Sequence, residues 1–167
     1  MPRAASFLRV QPVVPRADYR KMTTVLDMCN GVRDGVWPER WPSEETAEYL
    51  HDRLAIDGRW GAIVSAAPLG LMTAGFVIGT PYRGGSGEVV PGSQDLRLLM
   101  VSPLYQRRKL GRLLLDWAAD FNQKQGADRL LLWVQAHNER AQKVYKQAGY
   151  VATGVTRPRE GVTMIEL

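Results

Sequence analysis

The chain has little of what builds metal sites and covalent staples. A single cysteine, Cys29, stands among 167 residues. No disulfide can form within the chain, and zinc sites built on paired cysteines are excluded. Two histidines, His51 and His137, are too few for a metal cluster, so no metal is expected. No run of about 18 apolar residues occurs, and no membrane span or membrane partner is expected. The opening residues, MPRAASFLRV, lack the continuous apolar stretch of a secretory signal. Internal repeats and low-complexity tracts are also absent. A soluble cytoplasmic protein is the plain expectation.

Hydrophobic residues make up 45% of the chain, enough for a real core, and the length suits one domain over residues 1–167. The net charge of +5 and pI near 9.6 favour an anionic partner, or serve solubility alone. Zinc-finger spacing and a basic zipper are both missing, so nucleic acid is not expected.

The pattern predicts a mixed α/β fold in the order β-α-α-β-β-β-α-β-α-β-β. "SFLRVQPVV" (6–14) alternates and reads as a strand. A helix follows from Pro15 and Asp18 towards Gly31 and Gly35, with apolar residues near helical spacing. A Trp/Pro-rich loop (34–45) leads to a second helix, with Ser43 as N-cap and Glu44 and Glu45 in its first turn. Strands are predicted at 60–66 and 70–80, then a glycine-rich, long and mobile connection at 81–94. A strand at 95–103 runs into an amphipathic helix from Leu110, ended by Gly126. The continuous apolar run 129–136 reads as a buried strand. A short helix (138–149) has Asn138 as N-cap, and strands at 150–155 and 162–167 close the chain around a "TRPREG" loop.

The stretch "YQRRKLGRLLL" (105–115) places Arg107, Arg108 and Lys109 at the mouth of a helix. The first N–H groups of a helix lack partners and, with the dipole, attract anions. Three cations there would repel one another without a counter-ion. Either a pyrophosphate resolves the conflict or the side chains splay into water.

The segment "LRLLMVSPLYQRRKLGRLLL" resembles the acetyl-CoA-binding motif of the GNAT superfamily of N-acetyltransferases, through Val101, Pro103, Gln106 and Gly111. Lys109 stands where that family usually has its first glycine. "LLWVQAHNERAQKVYKQAGYVATG" resembles the family's next motif through Asn138, Ala141, Tyr145, Gly149 and Tyr150. The two come in the family's order and separation. The resemblance implies a GNAT-like fold, a central mixed sheet flanked by about four helices. It implies acetyl-CoA (CoA) as cofactor and transfer of acetyl to a primary amine of a small molecule. Acetylation of protein amino groups and a non-catalytic acyl-CoA-binding module are the alternatives. A homodimer is left open.

The resemblance also assigns roles. Amides from Gln106 through Arg107, Arg108, Lys109, Leu110 and Gly111 to Arg112 would hold the pyrophosphate. Leu99, Met100 and Val101 would meet the pantetheine arm, with an amide near Leu99 facing the thioester carbonyl. The strands 95–101 and 130–136 would splay apart there. Tyr145 would be the general acid, or a member of the core stripe 141, 144, 145 and 148. Asn138 and Ala141 would touch the cofactor arm, although a cap alone would account for Asn138. Asp95 is the candidate base, placed by strand alternation on the face of residues 97, 99 and 101, or else a turn residue. Trp37, Trp41, Tyr82 and Arg83 would border the acceptor, or in the case of the tryptophans plug a helix corner. Asp34, Glu39, Glu44 and Glu45 would suit a cationic acceptor; Glu44, Glu45 and Glu48 would border the acceptor site in place of Asp95, or form a solvated helix face.

Overall fold

A computed structural model describes residues 8–35, 43–66 and 72–167. The elements follow the predicted order. They are β1 (Leu8–Pro12), α1 (Pro15–Asp34), α2 (Glu44–Leu54), β2 (Trp60–Ala66), β3 (Met72–Arg83), β4 (Val89–Val101), α3 (Leu110–Lys124), β5 (Arg129–Gln135), α4 (Glu139–Gln147), β6 (Thr156–Arg159) and β7 (Val162–Glu166). Among the described residues no helix is long and apolar enough to cross a membrane. The strands form one mixed sheet in the order β1-β2-β3-β4-β5-β7-β6. Among the described residues only β4 and β5 run parallel, joined by the α3 crossover that a parallel pair requires.

Helices cover both faces. Met22, Val25 and Leu26 of α1 and Leu50 and Leu54 of α2 pack on Ile63, Phe76, Ile78 and Leu98. On the other face, Leu110, Leu114, Leu115 and Ala118 of α3 pack on Val64, Val77, Leu96 and Leu132, with Ala141, Val144 and Tyr145 of α4 against them. On α3 Leu115 is buried, whereas Leu113 stays 37% exposed.

Three boundaries differ from the sequence reading. The supposed connection at 81–94 is mostly sheet, because β3 continues to Arg83 and β4 starts at Val89. Its prolines and glycines fit at a ladder irregularity, where Pro81 pairs Gln94 while Arg83 pairs Val89 and Gly92 is left-handed; bulges admit residues that regular ladders reject. The penultimate strand is 156–159, not 150–155. Its hairpin turn shrinks to Glu160–Gly161, both at positive φ, as two-residue hairpin turns require. Finally, α1 runs through Gly31 and ends at Gly35, whose φ of 70° makes it the left-handed cap.

Gly79 is fixed by packing. The Trp60 indole lies so close that a Cβ on residue 79 would fall 1.9 Å from its ring, and the indole Nε1 is anchored by donating to Gln94 Oε1 at 3.0 Å. Gly79→Ala is therefore expected to lower stability by about 1–3 kcal/mol, the range for overpacking, read as a lower denaturant midpoint with unchanged slope.

Candidate active site

β4 carries the site because its two halves face differently. Ile78 pairs Leu98 but Gly79 pairs Leu96, so Arg97 is an extra residue, a β-bulge. Strand parity reverses across it. Leu96, Leu99 and Val101 join the α3 core, whereas Leu98 and Met100 join the α1–α2 core. Pairing with β5 ends at Leu96↔Leu132, while β5 goes on to pair β7 through Gln135. Beyond the bulge the parallel strands have separated, as the resemblance implied.

This separation frees backbone groups. The Ser102 amide donates to the Ala74 carbonyl at 2.8 Å. Bonded positions alternate in an antiparallel ladder, so Met100 and Leu98 are bonded to β3. The amides of Leu99 and Val101 point the other way, into the gap. The Val101 carbonyl accepts the Cys29 thiol at 3.4 Å, and burial pushes that thiol up to about 11, against the pull of Arg33. Cys29 is therefore neutral.

A cavity of about 710 Å³ opens from this gap. Its walls include Leu99, Met100, Val101, Gln106, Arg107, Lys109, Leu110, Gly111, Arg112, Asn138, Ala141 and Tyr145, so most of the expected cofactor residues converge. Arg108 is the exception: its guanidinium lies 5.5 Å from the Tyr105 ring centroid. Arg112 is already engaged, by Asp116 at 2.7 Å and by the Gln147 carbonyl.

The helix mouth suits an anion. Arg107 and Lys109 both have left-handed backbones, with φ of 63° and 61°. Lys109 thus adopts the conformation for which glycine is preferred, at a cost of roughly 1–2 kcal/mol. Left-handed residues leading into a helix turn N–H groups inward as an anion-binding nest. No side chain caps α3 and its first turn has no acid. A diphosphate fits these free N–H groups and the exposed cations beside them, and an amide-bearing arm fits the open β4 edge.

Tyr145 reaches the cavity from α4. Its ring packs in the α3 core and edge-on to Tyr150, centroids 5.9 Å apart, so core packing and cavity exposure coexist. Burial raises its pKa, and its hydroxyl stays protonated at neutral pH. Asn138 is a true N-cap, accepting from the Ala141 amide at 3.1 Å, and it lines the cavity as well. Reading single residues missed Cys29, Tyr105 and Arg140, which also line it; no motif marks them, because they come from α1, the turn after β4, and α4.

On the opposite face a second groove, about 570 Å³, is lined by Leu26, Asp27, Asn30, Asp34, Glu45, Tyr49, Leu98, Met100 and Arg159, among others. The two cavities share Met100. Asp27 is buried and braces the start of α2, accepting from the Ser43 amide at 2.8 Å and the Ser43 hydroxyl at 2.7 Å. Of the expected acceptor residues, Asp34 and Glu45 line the groove, and Glu44 and Glu48 do not. Tyr82 instead donates to Glu166 Oε2 at 3.1 Å, and Arg83 to the Gly87 carbonyl at 2.8 Å. Trp37, Glu39 and Trp41 lie outside the described residues.

The placement of Asp95 needs correction. Simple alternation put it with residues 99 and 101, but the bulge reverses parity. Asp95 pairs Thr80, in phase with Ile78, and so faces the α1–α2 side. It lines neither cavity; its Oδ2 lies 3.1 Å from Arg97 Nε.

Comparison with known proteins agrees with this geometry. The model of the acetyltransferase (GNAT) family matches residues 27–150. A curated relative, mycothiol acetyltransferase of Beutenbergia cavernae, is 38% identical over 61 residues, which are 36% of this chain and 20% of that protein. The chain thus matches about a fifth of that relative's length. The ribosomal-protein-S18-alanine N-acetyltransferase of Escherichia coli superposes with a TM-score of 0.68 at 19% identity, over 96% of this chain and 91% of that one. The PaiA N-acetyltransferase of Thermoplasma acidophilum, solved with coenzyme A, gives 0.66 at 16% identity, over 96% and 98%. These two likenesses show the shared fold.

Burial pushes the Asp95 carboxyl up to about 6, against Arg97 and Arg157 and together with Glu166. A folded-state pKa above the unfolded one means the fold favours the protonated acid. That contribution is complete below the ordinary carboxylate range and is lost as pH rises through about 6. Asp95→Asn is expected to raise the unfolding temperature over wild type at about pH 8 and to show little advantage near pH 5, measured by thermal denaturation at both.

Proposed function

The chain belongs to the acetyltransferase (GNAT) family, and we propose that it transfers acetyl from acetyl-CoA to a primary amine of a small molecule by direct attack. One observation carries this reading: two cavities on opposite faces of β4 meet at Met100, beside the open strand edge. One suits a long diphosphate-bearing donor and the other a separate acceptor. The relative named for mycothiol supports a small acceptor. Because both helical layers rest on one sheet, residues 1–167 are read as one acetyltransferase domain, acting in the cytoplasm where its donor is made.

When bound, acetyl-CoA supplies a thioester whose C–S bond is exchanged for a C–N bond to the amine. The nest at Gln106 to Gly111, with Arg107 and Lys109 at the cavity wall, would hold the diphosphate, and Arg108 would add its charge from beside Tyr105. The outward Leu99 and Val101 amides orient the arm, and the Leu99 amide offers a hydrogen bond where oxyanion charge develops. Such donors act strongly because they are fixed before reaction. Tyr145 Oη holds the proton destined for the leaving sulfur; burial keeps it there at neutral pH. Asn138 and Ala141 form the α4 wall along the arm. Asp95 lines neither cavity, so no base is assigned to it; the exposed groove lets the amine lose its proton to water.

Tyr145→Phe is expected to lower turnover about a hundredfold, the lower range for a positioned acid, while acetyl-CoA affinity stays near wild type by calorimetry. Equal turnover would remove Tyr145 from the mechanism. Replacing Arg107 and Arg108 together by alanine is expected to weaken acetyl-CoA binding by about tenfold or more. Unchanged affinity would leave both side chains as solvated charges.

A further inference from the structure

Beside the acceptor groove three guanidiniums gather from three elements: Arg53 of α2, Arg97 at the β4 bulge and Arg159 of β6. Arg159 lines the groove together with Tyr49, and the Arg53 guanidinium lies 3.4 Å over the Tyr49 ring. We propose that the acceptor amine also carries an anionic group, a carboxylate or a phosphate, and that Arg159, with Arg53 beside it, receives it. This rests on the acetyl-transfer reading above and narrows its substrate class.

Among the described residues the protein compensates these cations only in part. Arg53 has no ion pair among the described residues; it donates to the Tyr49 carbonyl at 3.1 Å. Its pKa is lowered, first by burial and then by repulsion from Arg159 and Arg97, while Tyr49 and Asp52 oppose this. Among the described residues Arg159 has only Glu160, 3.7 Å away with its side chain 85% exposed, where an ion pair contributes little. Arg97 is paired with Asp95, Nε to Oδ2 3.1 Å, and also donates to the Thr80 hydroxyl at 3.2 Å. The nearby Glu166 is occupied by the Tyr82 and Thr153 hydroxyls. Like charges held together cost electrostatic energy. An incoming anion relieves that cost, and guanidinium forks match carboxylate and phosphate oxygens.

The groove lining carries both signs. Its α1 wall presents Asp27, Asn30, Arg33 and Asp34, and its α2–β6 side presents Glu45, Tyr49, Arg159 and Glu160, with the Arg53 guanidinium over the Tyr49 ring; Met100 joins the groove to the donor cavity. A molecule that carries an amine and an anion together matches this mixed lining.

The test uses the full chain and matched acceptors: amino acids of several lengths, their carboxamides, and aminoalkyl phosphates, assayed by CoA thiol release. The expected result is a carboxylate or phosphate preferred over the amide by about tenfold or more in kcat/KM, the scale of one charge-assisted hydrogen bond. That ratio should fall towards one in Arg53→Gln and in Arg159→Gln. The carboxylate and phosphate arms tell which anion is read. Equal use of acid and amide, or a ratio unchanged in both variants, overturns the inference and leaves acetyl transfer standing. If no amine is turned over although acetyl-CoA binds, the acetyl-transfer reading fails. Calorimetry of the CoA-loaded protein with the same acids and amides then decides: binding of the acid that is lost in Arg53→Gln supports anion recognition, and no difference between acid and amide overturns it.

Discussion

The structure turns on the end of pairing between β4 and β5. A parallel pair in an α/β sheet is normally bonded along its whole length and buried on both faces. Here the ladder stops at Leu96↔Leu132, and the extra residue Arg97 marks the same level. Beyond it, the amides of Leu99 and Val101 have lost a strand partner and have not been given another. An open edge of backbone donors in the middle of a sheet would be costly in a closed core. It is tolerated here because it borders a cavity, where a ligand or water satisfies it.

The bulge also distributes the chemistry between two faces. Without it, Leu98 and Met100 would lie on the α3 face with the helix mouth, and the α1–α2 groove would not reach the reacting end of the strand. One inserted residue lets Met100 look into the groove while the neighbouring amides look into the donor cavity. It also brings Arg97 to the acceptor side, close to Asp95 and within repulsion range of Arg53. The donor and acceptor sites are thus two consequences of one backbone irregularity.

The donor site was legible in the sequence because its parts are contiguous. The strand, the turn with its cations, and the start of α3 follow one another over residues 99–112, and a helix N-terminus attracts anions whatever surrounds it. Lys109 shows the limit of that legibility. The sequence marks it as a residue out of place, and only the backbone shows that it takes the left-handed conformation a glycine would have taken. The acceptor groove was hardly legible. Asp27, Tyr49, Met100 and Arg159 share no motif and meet only after the sheet has formed. The residues 81–94 were misread for a related reason: their prolines and glycines signal a loop locally, and a ladder irregularity absorbed them into a hairpin.

Hydrophobic periodicity, caps and turn residues determined the order of elements and the helix that opens on a basic turn, because these depend on near neighbours along the chain. Tertiary structure alone decided which face Asp95 occupies, where β4 and β5 part, and which side chains line the second groove. Each depends on register, and a one-residue shift in register moves every later side chain to the opposite face. Periodicity read along a single strand cannot reveal such a shift; it is set by how that strand pairs with its neighbours.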